Sequence, residues 1–169
     1  MEELIKEAQI GDKNAFNKIF IAISDDLYKI AKSRINNEDD IADAVQETMI
    51  ATFKNIKKLR DTSQFKQWVI TILINKCNRI YRRKYKKDIS YEEYNFEAFS
   101  SSCNLESNIE FYEMLKDLKY EEKIVIILYY LEQYSIKDIK EILKMNENTV
   151  TTHLYRARQK IKKNLKNFN

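Results

Sequence analysis

Residues 135–158 read SIKDIKEILKMNENTVTTHLYRAR, and this stretch predicts two helices joined by a short turn. Ser135 can cap the first helix, because Asp138 follows three residues later at the spacing of a capping box. The first helix covers residues 136–143, and the second runs from about residue 147 to residue 164. This is the spacing of a helix-turn-helix, whose second helix enters the major groove of DNA.

The second helix separates apolar from polar side chains. The predicted interior, shared with the first helix, consists of Ile139, Ile142, Leu143, Val150, Leu154 and Ala157. The positions that face away are Thr149, Thr151, Thr152, His153, Tyr155, Arg156 and Lys160. Arg156 suits a guanine edge, while the threonines suit a base-edge hydrogen bond or a thymine methyl. The pattern favours DNA binding, although any two-helix hairpin with a basic second helix would share it.

The composition of the whole chain favours helices and excludes several fold classes. Its 169 residues contain no proline and a single glycine, Gly11. Phosphate-binding loops and tight hairpins depend on glycine, so dinucleotide-binding and P-loop folds are excluded. With 44% apolar and 33% charged residues, the chain can fill a core and keep its surface wet. We predict an all-α protein of one domain or two small ones.

Apolar residues recur at helical spacing through the first ninety positions. Gly11 and Asp12 separate the first two helices, and a third helix is predicted over residues 27–34. The helix after residue 40 places one stripe in the core: Ile41, Val45, Met49, Thr52, Phe53 and Ile56. The side chains off that stripe are Asp43, Gln46, Glu47 and Ile50. A further helix is predicted from about residue 63 to residue 84, with Phe65, Trp68, Val69, Ile72 and Leu73 inward.

Charge is distributed in bands, and this distribution indicates the class of partner. Residues 76–87 carry seven basic side chains and no acid, and residues 148–169 carry six and no acid. Residues 88–115 reverse the sign, with seven acids and no lysine or arginine. Two acid-free basic blocks that contain tyrosines suit phosphate contact and base stacking. Nucleic acid is therefore the partner that the charge pattern favours.

Other classes find little support in the sequence. The chain has one histidine, His153, and no serine–histidine–acid set or metal-binding spacing, so we expect no enzyme, no metal and no cofactor. Cys77 and Cys103 are far apart and suggest reduced thiols. No apolar stretch reaches the ~18–20 residues of a membrane span, and the start of the chain lacks a signal sequence. We expect a cytoplasmic protein with no small-molecule substrate.

Two sets of motifs resemble conserved regions of one protein family. Residues 134–139 (YSIKDI) and 148–158 (NTVTTHLYRAR) resemble the fourth region of bacterial RNA polymerase sigma factors. Residues 40–49 (DIADAVQETM) and 65–69 (FKQWV), with Asn75 and Arg79, resemble the family's second region. The sets occur in the family's order, and nothing resembles its first and third regions. The chain is thereby identified as a member of the small extracytoplasmic-function (ECF) type.

The resemblance implies an all-α architecture of two small helical domains joined by an acidic linker. Residues 1–87 correspond to an N-terminal helical bundle that docks on core polymerase and melts and reads the −10 promoter element. Residues 88–107 form the linker. Residues 108–169 correspond to a C-terminal helix-turn-helix domain that reads the −35 element. Core RNA polymerase and promoter DNA are the implied partners, and an anti-sigma protein is a further partner common in the family.

The resemblance also distributes the candidate residues among three contacts. The residues expected to dock on core polymerase are Asp43, Gln46, Glu47 and Ile50. The residues expected to bind the −10 element are Asn75, Asn78, Arg79, Arg82 and Arg83. The residues expected to bind the −35 element are Thr149, Thr151, Thr152, His153, Arg156 and Lys160. Two rival functions explain parts of the sequence: a helix-turn-helix regulator that binds DNA unaided, and a helical module that binds acidic proteins.

Overall fold

The computed structural model describes residues 1–84 and 114–167, with side chains to residue 165. These residues form seven α-helices and no strand. The helices are α1 (Glu2–Ile10), α2 (Lys13–Lys32), α3 (Glu38–Asn55), α4 (Phe65–Lys84), α5 (Tyr120–Ile126), α6 (Ile136–Leu143) and α7 (Glu147–Asn167). They belong to two compact units, within Met1–Asp88 and Ile89–Asn169. The all-α prediction is confirmed, whereas the predicted linker 88–107 and Cys103 lie outside the described residues.

The predicted break between the first two helices is present at Gly11 and Asp12. Gly11 ends α1 in the left-handed conformation (φ 109°), which costs glycine less than any other residue. Asp12 then caps α2, because its Oδ1 accepts hydrogen bonds from the backbone N–H groups of Asn14 (2.7 Å) and Ala15 (3.1 Å). The turn is therefore fixed by one permissive backbone position and one carboxylate.

The separate helix predicted over residues 27–34 is wrong, because α2 continues unbroken to Lys32. Leu27, Ile30 and Ala31 extend the buried face that begins with Phe16 and Ile19. No glycine or proline interrupts this stretch, and the acidic pair before Leu27 lies outside the fully buried face. The helical period of the apolar residues thus outweighs two polar positions.

The core face of α3 is rotated from the predicted stripe. Ile41 and Thr52 are buried as predicted, but the face between them consists of Ala44 and Thr48. Val45 and Met49 are half-buried, and Phe53 is 42% exposed. The helix packs against both α2 and α4, and small side chains allow its backbone to approach them closely. The prediction followed the largest apolar residues, whereas packing selected the smallest.

Helix α4 supplies the other wall of this core. Phe65, Val69 and Leu73 are buried as predicted, together with Ile70 and Ile74. Trp68 and Ile72, which were assigned to the core, are only half-buried. The thiol of Cys77 is free and buried, and burial raises its pKa to about 12. This high pKa keeps Cys77 as a protonated, unreactive thiol.

The C-terminal unit contains the predicted helix-turn-helix. Ser135 and Asp138 form the predicted capping box at the start of α6, and Lys144 ends α6 in the left-handed conformation (φ 52°). Asn146 starts α7, because its Oδ1 accepts from the backbone N–H (2.7 Å) and the hydroxyl (2.8 Å) of Thr149. Five of the six predicted interior residues are buried, and Leu143 is half-buried. Within residues 1–84 and 114–167, no helix is both long and apolar enough to cross a membrane.

Candidate nucleic-acid interface and docking face

Four residues of α3 form a single surface, which we call the docking face: Asp43, Gln46, Glu47 and Ile50. Their spacing of three, four and seven residues places them on one side of the helix. Asp43, Gln46 and Ile50 are exposed, and Glu47 is half-buried. The face combines two carboxylates, an amide and an aliphatic side chain. It can therefore contact a partner that is both basic and partly apolar.

Phe53 lies one turn beyond Ile50 on the same side of α3. Its ring packs edge-on against Phe16, with 5.0 Å between centroids, and leaves 42% of the residue exposed. The sequence prediction missed this residue because it placed Phe53 on the core stripe of α3. Its position three residues after Ile50 could have shown from the sequence that Phe53 lies on the same side of the helix.

Five polar residues follow one another along the outer side of α4, and we call them the α4 basic row: Asn75, Asn78, Arg79, Arg82 and Arg83. Asn75, Arg82 and Arg83 are exposed, and Arg79 is exposed to 61% at its side chain. Asn78 is half-buried, and its Oδ1 accepts a 2.7 Å hydrogen bond from Nη2 of the buried Arg34. Arg34 was missed from the sequence, since its contact lies 44 residues away along the chain.

Two carboxylates of α3 bind cations of α4. Lys76 Nζ lies 3.0 Å from Glu47 Oε2, and Arg79 Nη2 donates to the same oxygen. The hydrogen bond from Lys76 is the largest cause of a lowered Glu47 pKa. Near the other end of α3, Lys84 Nζ donates to both oxygens of the buried Asp40, at 2.6 and 2.8 Å. Several members of the first basic block therefore already have acidic partners within the domain.

Helix α7 presents a second polar surface, which we call the α7 outer face: Asn148, Thr151, Thr152, Tyr155, Arg156, Gln159 and Lys163. All seven residues are exposed. The hydroxyls of Thr151 and Thr152 donate to the carbonyls of Glu147 (2.9 Å) and Asn148 (2.7 Å). Asn148, Gln159 and Lys163 were missed from the sequence, although counting steps of three and four residues from Thr152 would have found them.

Two residues predicted to contact DNA lie away from this face. Lys160 Nζ donates to Oε2 of the buried Glu122 on α5 at 2.7 Å. His153 is half-buried, and among the described residues its buried Nδ1 has no hydrogen-bond partner. Both side chains therefore lie on the flank of α7 that is directed toward α5, whereas Thr149 belongs to the cap of the helix.

Glu122 fixes α5 against α7. Besides Lys160, it accepts a 2.9 Å hydrogen bond from the backbone N–H of Lys119, which completes a capping box at the start of α5. Burial acts to raise the pKa of Glu122, but the hydrogen bonds from Lys160 and Lys119 outweigh it and lower the pKa. The carboxylate is therefore charged and doubly bound in the interior of the domain.

Arg158 is likewise engaged within the C-terminal unit. Its guanidinium lies 5.3 Å from the ring centroid of Tyr129 and 5.6 Å from that of Tyr130. Its Nε donates to the Tyr130 hydroxyl at 2.9 Å. The two tyrosines belong to a π-helical turn, Ile127–Leu131, that follows α5. Arg158 thus connects α7 to this turn, which is a structural use of a residue from the second basic block.

Comparison with known proteins identifies both units. The family model described as sigma-70 region 2 matches residues 19–87, and the model described as sigma-70 region 4 matches residues 108–161. The RNA polymerase sigma factor SigV of Bacillus subtilis is 32% identical over 133 residues, which cover 78% of this chain and 80% of that protein. The ECF RNA polymerase sigma factor SigW of the same organism is 24% identical over 99% of this chain and 98% of its own length.

Solved structures share the fold over nearly the whole chain. CnrH, in complex with the cytosolic domain of CnrY, matches with a TM-score of 0.71 at 22% identity, covering 99% of this chain and 98% of its own. RpoE of Bartonella quintana, in complex with the anti-sigma factor NepR, matches with a TM-score of 0.69 at 22% identity, covering 89% and 96%. Taken with the ordered region 2 and region 4 matches and the similarity to SigV, this chain belongs to the ECF group of bacterial RNA polymerase sigma factors, which give core RNA polymerase its promoter specificity.

Proposed function

We propose that the three surfaces divide the work of this sigma factor. The docking face binds core polymerase, the α4 basic row holds the −10 element, and the α7 outer face reads the −35 element. The observation that carries the proposal is the separation of opposite charge between two helices of one domain. Acids and Ile50 lie on the outer side of α3, whereas asparagines and arginines lie on the outer side of α4. A protein partner and a nucleic acid can then be bound at the same time.

The docking face suits a basic coiled coil. Asp43 and Gln46 are exposed and lie beside an exposed aliphatic side chain, Ile50, and Asp43 has no ion pair within residues 1–84. Opposite charge would speed and orient encounter, and the apolar contact would hold the complex. Glu47 forms the edge of this face next to α4.

The α4 basic row suits a single strand drawn from the −10 element. Arg82 and Arg83 are exposed without an ion pair among the described residues, so both can bind phosphates. The amides of Asn75 and Asn78 can form hydrogen bonds to an unstacked base. Arg34 supports this row, because its donated hydrogen bond fixes the Oδ1 of Asn78 toward the domain interior.

The α7 outer face suits the major groove of the −35 element. Arg156 can form two hydrogen bonds to a guanine. The hydroxyls of Thr151 and Thr152 already donate to the backbone, so toward DNA they can accept a hydrogen bond or present a methyl group. Lys160 and His153, which the sequence assigned to this contact, have a smaller part in the proposal because of their position on the flank facing α5.

An anti-sigma protein is proposed as a further partner, since CnrH and RpoE each share this fold and each is in complex with another protein, in the second case an anti-sigma factor. We also propose that the protein acts in the cytoplasm and makes or breaks no covalent bond. Binding and positioning are sufficient for a specificity subunit, and the three surfaces supply only polar, charged and apolar contacts.

Reconstitution with bacterial core RNA polymerase tests the assignment. The purified chain should co-elute with the core enzyme in size exclusion and start transcription at new sites on genomic fragments. The double variant D43A/Q46A should lose co-elution, whereas N17A/K18A, on the exposed side of α2, should retain it. Specific duplex binding by the free chain without any complex would instead support the rival function of a stand-alone regulator.

A further inference from the structure

The α3–α4 pair contains two ion-pair sites of very different burial. At the first, Lys84 binds Asp40, whose side chain is 6% exposed. At the second, Lys76 and Arg79 share Glu47, whose side chain is 42% exposed. Asp40 precedes Glu47 by seven residues along α3. Its partner Lys84 comes after both partners of Glu47 along α4, so the two helices run antiparallel. Each acid therefore faces a different part of the same basic helix.

The two sites differ in what they contribute to folding. A buried carboxylate must keep its partner, so the contact between Asp40 and Lys84 is structural. The ion pairs of the half-buried Glu47 are open to solvent, where such pairs contribute only about 0–1 kcal/mol to stability, so the fold has little need of Glu47. Glu47 nevertheless binds two cations at once, one of which belongs to the α4 basic row. Its effect should therefore appear in binding rather than in stability.

Resting on the proposed function of the α4 basic row, we infer that Glu47 is a positioning residue for promoter binding. Its carboxylate holds Lys76 and Arg79 against α3 and so reduces the number of α4 cations that bind phosphates without regard to sequence. A cation that already has a carboxylate partner gains less from a phosphate and releases fewer counterions. Arg79 keeps its remaining N–H groups for an oriented contact, because only one terminal nitrogen donates to Glu47.

The test is the salt dependence of binding to a single strand without promoter sequence. Holoenzyme reconstituted with the wild-type chain or with the E47Q variant is titrated with oligothymidylate between about 50 and 200 mM salt. One further phosphate contact should steepen the slope of log K against log salt by about 0.7. Each such contact should increase the ratio of affinities between the two salt concentrations about 2.6-fold, and the two released cations can form up to two contacts. An unchanged slope overturns the inference.

Two controls separate positioning from a general effect of charge. D39N removes an equal charge from an exposed position of α3 and should leave the slope within error of the wild type. In the background K76Q/R79Q, addition of E47Q should change the slope no further, because the cations that Glu47 holds are absent. If E47Q steepens the slope equally in that background, Glu47 acts as a distant charge and the inference is wrong.

Failure of the inference can be told from failure of the proposed function. If the chain does not bind core polymerase, co-elution is lost for every variant, including the wild type. The same titration on the free full-length chain still reports the slope, so Glu47 is tested in either case. Circular dichroism melting should place E47Q close to the wild type, which a structural role comparable to that of Asp40 would not allow.

Discussion

Helices α4 and α7 are alike in length and in their basic C-terminal halves, yet they differ in how many of their cations have carboxylate partners. In α4, Lys76, Arg79 and Lys84 are bound by carboxylates from the neighbouring α3. In α7, a carboxylate binds Lys160, whereas the two cations of the outer face, Arg156 and Lys163, have no ion pair among the described residues. A basic run in a sequence therefore overstates the number of phosphate contacts wherever a packed neighbour supplies acids. The comparison separates cations that build the domain from cations that bind a partner.

Replacing one lysine from each helix should show the largest difference between a cation that builds the domain and one that binds a partner. K84M leaves the buried Asp40 without its cation, and we expect a loss of about 1–2 kcal/mol in the free energy of unfolding of the N-terminal domain. K163M removes an exposed cation and should change stability by less than about 0.5 kcal/mol.

Trp68 makes this measurement specific, because it is the one tryptophan of the chain and lies in the N-terminal unit. Urea unfolding followed by tryptophan fluorescence reports that domain. Binding of promoter duplex should show the opposite order, with K163M reducing the salt slope by about 0.9 and K84M leaving it unchanged. Equal stability of the two variants would show that Lys84 is not a structural cation.

The sequence predicted the C-terminal unit more accurately than the N-terminal one, for a physical reason. Caps are local, so Ser135 and Asp138 specified the start of α6, and a strong apolar period specified the buried face of α7. The burial of α3 depends on α2 and α4, which lie far away along the chain, and there Ala44 and Thr48 replaced the larger residues that hydrophobicity favoured.

The candidate sites show the same division between local and long-range information. Helical spacing placed the docking face on one side of α3 and most of the α4 basic row on one side of α4, and the partners assigned to both groups stay predictions. It gave no sign that Lys160 binds Glu122, that Arg34 supports Asn78, or that Glu47 joins the two surfaces, because these contacts span 32 to 44 residues. Charge in a sequence identifies candidates for DNA contact, and tertiary packing decides which of them remain available.

The ion pair between Lys160 and Glu122 should make the stability of the C-terminal domain depend on pH. Folding lowers the pKa of Glu122, so the ionised carboxylate stabilises the folded state. This stabilisation is complete above the unfolded pKa of about 4.3 and is lost as pH falls through the lower folded pKa. K160M removes a main cause of that lowering, because burial then acts against fewer hydrogen bonds. We expect a loss of about 1 kcal/mol at neutral pH, because the buried carboxylate keeps its hydrogen bond from Lys119, and a wild-type advantage that disappears in acid.

Thermal melting by circular dichroism from pH 7 to pH 3 measures this dependence, and Trp68 fluorescence serves as the internal control for the other domain. The fluorescence transition should be the same in K160M and the wild type at each pH. A stability difference that persists unchanged at the acid end would mean that Lys160 acts through packing of its aliphatic stem and not through Glu122.

The smallest expected effect concerns a single methyl group on the α7 outer face. The Thr152 hydroxyl donates to the Asn148 carbonyl, so the methyl is the group it offers to a thymine. T152S removes the methyl and should weaken promoter duplex binding by about 0.8 kcal/mol, or about fourfold, whereas T152V keeps both branches at Cβ and should bind within about twofold of the wild type. Serine and valine have similar helix propensities, so the two variants differ mainly at the DNA surface. If T152V proves the weaker binder, the hydroxyl accepts a hydrogen bond from a base, and the recognition at this position is polar.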